Sequence, residues 1–78
     1  MEEKLHVGRL IQAKMQEDGR SVSWLAGKLH CDRSNIYRIY RSHHIDTEQL
    51  LKISVMLHHD FFSHYSSYIV ESFRNLNL

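Results

Sequence analysis

The sequence predicts an all-α fold, a single compact domain of four to five helices spanning residues 1–78, and three observations carry that prediction. The 78 residues include no proline and are 42% apolar, a composition suited to a packed helical domain rather than a disordered chain. Apolar residues recur three and four positions apart in successive segments, the period of a helix with one buried face. Four of those segments open on residues that cap helices well, Ser21, Asp32, Asp46 and Asp60.

The first helix is expected over Glu2 to Gln16, with Leu5, Leu10, Ile11 and Met15 apolar and Lys4, Arg9 and Lys14 outward. Glu2 and Glu3 suit the positive end of its dipole. Asp18-Gly19 reads as a stop, because glycine adopts at little cost the left-handed conformation that closes a helix. A second helix is expected over Val22 to Leu29 behind Ser21, carrying Leu25, Ala26 and Leu29 inward. Trp24 falls early in it and reads as a partly buried edge residue. The third helix is expected over Arg33 to Arg41 behind Asp32, so Leu29-His30-Cys31-Asp32 must make a sharp corner. Cys31 in that corner reads as a small buried hydrophobe.

Asp46-Thr47-Glu48-Gln49 opens a fourth helix as a capping box, with Asp46 accepting from the backbone and Gln49 reaching back. Leu50, Leu51, Ile53 and Leu57 then give its buried stripe. His58-His59-Asp60 forms the next corner. A fifth, aromatic helix is expected over about residues 61–75, carrying Phe61, Phe62, Tyr65, Tyr68, Ile69 and Phe73.

The third helix is sorted by chemistry. At about 100° per residue, Arg33, Tyr37 and Arg41 share a stripe with Ser34 and Arg38 beside it. Ile36 and Ile39 point the opposite way, with Asn35 and Tyr40 at the borders. Arginine offers two donors to the acceptor atoms of guanine, and serine and tyrosine reach bases or phosphates. A surface helix with a solvated basic face is the plainer alternative. Two short helices about a tight corner, residues 21–41, are however the layout of a helix-turn-helix, whose second helix enters a DNA major groove.

This stretch resembles the lambda-repressor-like, or XRE/Cro-type, helix-turn-helix family. The matching residues are Ser21, Leu25-Ala26, Leu29, Asp32, Ile36 and Ile39, followed by Leu50-x-x-Ile53-x-x-x-Leu57, and the likeness covers roughly residues 7–62. Three features depart from the family pattern. His30 stands at the usual turn glycine, Arg41-Ser42-His43-His44-Ile45 contains neither the glycine nor the proline common there, and Arg20 replaces an apolar residue before the cap.

Net charge is only +1, which by itself argues weakly for a polyanionic partner. Its distribution says more. Residues 1–41 hold eight Lys/Arg against five acids, and residues 42–78 hold two against four. Five of the cations fall between 20 and 41. Such polarity can orient a protein on DNA even when the total is small.

Other chemistries find little support. No apolar stretch is long enough for a membrane span, and the acidic start MEEKLHVGRL predicts no signal peptide. One cysteine permits no internal disulfide, which suits a reducing cytoplasm. Gly8, Gly19 and Gly27 are scattered and form no phosphate loop. As a nucleophile Cys31 would need a base and an oxyanion site, for which the tight corner offers no evident room, so no enzyme is expected. Among the seven histidines, His43-His44 and His58-His59 are adjacent pairs whose rings diverge on a helix, so neither metal nor cofactor is expected.

The resulting expectation is a cytoplasmic transcription regulator that binds double-stranded DNA without a cofactor. Arg33, Ser34, Tyr37 and Arg38 would face base edges. Arg20, Ser21, Lys28, Arg41, His43 and His44 would hold phosphates, and Tyr68, Ile69 and Phe73 would join a homodimer. The alternative is a protein-interaction module on the same scaffold, antitoxin-like or a phage or mobile-element accessory protein, whose partner is protein. A histidine-rich metal binder is a third, weaker reading.

Overall fold

The computed structural model describes residues 5–76, and among these it is all-helical. The elements are α1 (Val7–Glu17), α2 (Val22–Leu29), α3 (Arg33–Arg41), α4 (Thr47–Leu57) and α5 (Phe62–Asn75). None of these helices is long and apolar enough to cross a membrane. Val7, Ile11 and Met15 of α1, Leu25 and Ala26 of α2, and Ile36 and Ile39 of α3 meet Leu50, Ile53, Leu57 and Phe61 in one core. The spacings of three and four within the α1, α3 and α4 sets are those of single helical faces, while Leu25 and Ala26 are adjacent on α2.

α1 begins later than the sequence suggests. Leu5 and His6 precede the helix, and Glu2, Glu3 and Lys4 lie outside the described residues. His6 occupies the cap position, where its Nδ1 accepts the Arg9 N–H at 3.1 Å. The Val7 and Gly8 N–H groups donate to the carbonyls of His43 and Ser42, at 2.8 and 2.9 Å. The loop after α3 thus satisfies donors that the start of α1 would otherwise leave orphaned.

Three helices close in the same way. Gly19, His30 and His58 all adopt positive φ, and the next residue donates back five positions, Arg20 to Met15, Cys31 to Ala26 and His59 to Ser54. That is the Schellman closure. Histidine thus serves twice at a conformation that glycine adopts more cheaply.

Two expectations on α4 need correction. Asp46 Oδ1 does accept the Gln49 N–H at 2.8 Å, yet among the described residues the Gln49 side chain forms no return bond. Leu51 is 56% exposed, as the helical period puts Leu50, Ile53 and Leu57 inward and turns Leu51 away. α5 starts one residue late, at Phe62. The cap position is Phe61 rather than the expected Asp60, though Asp60 Oδ1 accepts the Phe62 N–H at 3.0 Å and its carbonyl accepts the Ser63 hydroxyl at 2.7 Å.

Candidate nucleic-acid interface

α3 is fixed from behind. Ile36 and Ile39 are fully buried, and removing two such side chains from water stabilises the docked helix by roughly 3–6 kcal/mol. α1 and α2 both pack against it. Gly8 of α1 sets how near α3 can lie. A Cβ built on Gly8 would come under 3.0 Å from the carbonyl oxygens of Ile39 and Tyr40.

The opposite face of α3 is open. Arg33, Ser34, Tyr37, Arg38 and Arg41 are all exposed, and Asn35 and Tyr40 sit at its borders, half-buried. Ser34 and Arg41 lie near the middle of this face. Arg41, expected to hold phosphate, lies on the same stripe as Arg33 and Tyr37, as the helical period predicts. Ser34, Asn35, Arg38 and Arg41 line an open groove whose other wall is the His30-Cys31-Asp32 corner. Cys31 is half-buried there, packed against the core on one side and bordering the groove on the other.

Local bonds prepare this face. Asn35 Oδ1 accepts from both Nε and Nη2 of Arg38, the former at 3.2 Å, which restricts the guanidinium before any ligand arrives. The Ser42 hydroxyl donates to the Arg38 carbonyl at 2.7 Å and ties down the last turn. Tyr37 and Tyr40 meet edge to face, 6.3 Å apart. Burial and then the nearby Tyr37 raise the Tyr40 phenol above its ordinary value, so it stays a protonated donor. Asp32 sits at the cap position, but its carboxylate makes no cap bond. It therefore adds a free negative charge at one end of the groove.

Trp24 organises a second group. The Arg20 guanidinium lies 4.4 Å from its ring centre, and the Lys28 ammonium 5.9 Å from it. Trp24 and Lys28 are four apart in α2, and Arg20 stands just before that helix, so both cations lie against one indole. That spacing was visible in the sequence and gives Trp24 a use beyond an edge residue. Ser21 Oγ accepts the Trp24 N–H at 3.0 Å, which leaves the hydroxyl hydrogen free to donate.

His43 and His44 belong to a different neighbourhood. The His43 ring lies 4.2 Å from that of His6, and His44 Nδ1 is hydrogen-bonded to the Tyr65 hydroxyl of α5 at 2.8 Å. Both histidines are exposed, but each is already held by another element. Partial burial, then His43 and Arg9, push the His6 imidazole below its ordinary value. Burial raises the Tyr65 phenol.

Ion pairing separates the cations further. Lys14 pairs with Asp18 and Glu17, Lys52 with Glu48, and Arg74 with Glu71. Among the described residues, Arg9, Arg20, Lys28, Arg33, Arg38 and Arg41 make no such pair.

α5 carries the remaining apolar surface. Phe61 is buried, and Phe62 and Tyr65 pack on the core. Further along the same stripe Tyr68 is 38%, Ile69 50%, Phe73 52% and Leu76 65% exposed. The protein measures 44 Å along its long axis and 22–23 Å across.

No protein-family model matches this chain, and neither does any curated protein or solved structure.

Proposed function

We propose that this protein is a sequence-specific DNA-binding regulator of transcription that inserts α3 into the major groove. The observation that carries the reading is the outward face of α3. Three arginines that pair with no acid among the described residues stand there beside Ser34 and Tyr37, on a helix anchored from behind by α1 and α2. Arg33, Ser34, Tyr37 and Arg38 read base edges, and Arg41, in line with them, reaches bases or the near phosphates. Arg20 and Lys28, held on Trp24, and the Ser21 hydroxyl contact phosphates. His43 and His44 contribute to phosphate binding after leaving or bridging their present partners. The protein acts by occupancy rather than by chemistry, in the cytoplasm, as expected of a lambda-repressor-like, XRE/Cro-type domain.

One reading helix covers only a few base pairs. Two heads on half-sites one helical turn apart, about 34 Å, supply the missing specificity. Tyr68, Ile69 and Phe73 are the joint in this scheme, because they continue the core-facing stripe of α5 into solvent, where another α5 can cover it.

The deciding experiment is a fluorescence titration against mixed-sequence duplex at two salt concentrations. Contact with about four phosphates gives a log–log slope of roughly −3 to −4. A flat response, or no binding to duplex at low ionic strength, favours a protein partner instead. The same exposed stripe of α5 is the feature that supports that second reading.

A further inference from the structure

The α4–α5 corner pairs His59 in a way that its neighbour His58 does not suggest. The chain turns through Asp60 and Phe61, and the first turn of α5 brings His64 over His59. Their Nε2 atoms lie 2.9 Å apart, with ring centres 5.2 Å apart and planes inclined by 32°. Both rings are half-buried. Phe61, buried beneath them, has its ring centre 4.5 Å from that of His59 and 6.1 Å from that of His64. At this distance one imidazole donates and the other accepts, so the pair shares a single hydrogen. Burial and then His59 hold His64 below the ordinary histidine value, against the opposing pull of Asp60.

We infer that His59 and His64 form a two-nitrogen site for a divalent transition-metal ion, with zinc the ion that fits. Imidazole nitrogens bind zinc at about 2.0–2.1 Å, and two of them on a tetrahedral ion stand about 3.3 Å apart. From 2.9 Å, with the two rings end to end, the nitrogens part by about 0.4 Å and each ring turns by about 35° so that both lone pairs meet at the ion. The ion takes the place of the shared hydrogen; the donating ring gives up its Nε2 proton and takes one from solvent at Nδ1, so both rings ligate as neutral imidazoles with no net proton released. The positive end of α5 opposes a cation here, and the Asp60 carboxylate beside His59 offsets it. No third histidine, cysteine or acid joins the pair in a metal-binding group among the described residues. Water therefore fills the two remaining positions, and the ion exchanges readily.

The full chain, stripped with a chelator, is titrated with zinc chloride while long-range proton–nitrogen spectra follow each imidazole. The expected result is one zinc per chain, with the His59 and His64 nitrogens shifting first. His59→Gln and His64→Gln should each weaken binding roughly tenfold or more, while His58→Gln leaves it unchanged. Circular dichroism checks that both variants remain helical; if one does not, the shifts in the unaltered chain decide. The site is overturned by the absence of zinc-dependent shifts at His59 and His64 up to millimolar metal. It is equally overturned by unchanged affinity in both variants, or by first shifts at His43 or His44.

Discussion

Gly8 of α1 and Ile39 of α3 are in backbone contact, so close that no side chain fits between them. The same turn of α1 donates its N–H groups to Ser42 and His43. One glycine therefore controls both the depth of α3 and the closure of its C-terminal end.

Gly8→Ala should destabilise the protein by about 1–3 kcal/mol, the usual cost of forcing atoms into a packed site. The obstacle is backbone rather than a movable side chain, so the gain in helix propensity will not compensate. Gly27, in α2, has open space where a Cβ would stand. Gly27→Ala should therefore stabilise by about 0.5–1 kcal/mol. Urea unfolding of the two variants checks the opposite signs, and a Gly8→Ala protein as stable as the parent would refute the contact.

On DNA, Arg38→Ala should cost about 1–3 kcal/mol at the preferred site and blur its sequence preference, whereas Lys28→Ala should weaken all duplexes alike. Asn35→Ala frees the Arg38 guanidinium and should reproduce part of the Arg38 loss without removing a charge. Binding to matched and scrambled duplexes separates these outcomes. Equal, sequence-independent losses in all three variants would rule out α3 as the reader.

Stability should depend on pH through His6. Its neutral Nδ1 accepts the Arg9 N–H, and protonation removes that acceptor. The folded value lies below the unfolded value of about 6.5, so the unfolded chain takes up the proton first. The contribution is fully present above pH 6.5 and is lost as pH falls through the lower folded value. His6→Asn, which caps without titrating, should flatten this part of the stability curve. Urea midpoints between pH 5 and 7.5 measure it; an unchanged slope would remove His6 from the account.

The α5 joint predicts a homodimer at micromolar concentration. Ile69→Asp and Phe73→Ala should each shift the sedimenting mass toward the monomer while leaving helix content nearly intact, since both side chains are half-exposed. A monomer mass in the parent, unmoved by either change, would dismiss the dimer.

Where structure follows from neighbours in sequence, it was legible. Ser21 bonds Trp24, Asp46 bonds Gln49, and α2 and α3 fall over the residues that their caps indicate. Leu50, Ile53 and Leu57 obey the helical period, and only Leu51, apolar but out of phase, misleads. The start of α1 was not legible, because its donors are satisfied by Ser42 and His43 from the far end of α3. The exposed face of α3 could be drawn from periodicity alone. The links from His43 to His6 and from His44 to Tyr65 could not, since they join residues 37 and 21 positions apart. Asp32 shows a third case, in which the cap position was foreseen but its side chain makes no cap bond.

The outward residues of α3 have a consequence for how such a protein can change over time. Arg33, Ser34, Tyr37 and Arg41 lie outside the core that holds the helix in place. Substitutions at exposed positions of this kind usually move stability by no more than about 0.5 kcal/mol. Ile36, Ile39 and Gly8 carry the anchoring instead. If α3 is the reader proposed above, recognition and folding are written in separate letters of the same nine-residue helix, and new target preferences could be sampled without passing through unfolded intermediates. Arg38 is the partial exception, because its guanidinium is hydrogen-bonded to Asn35.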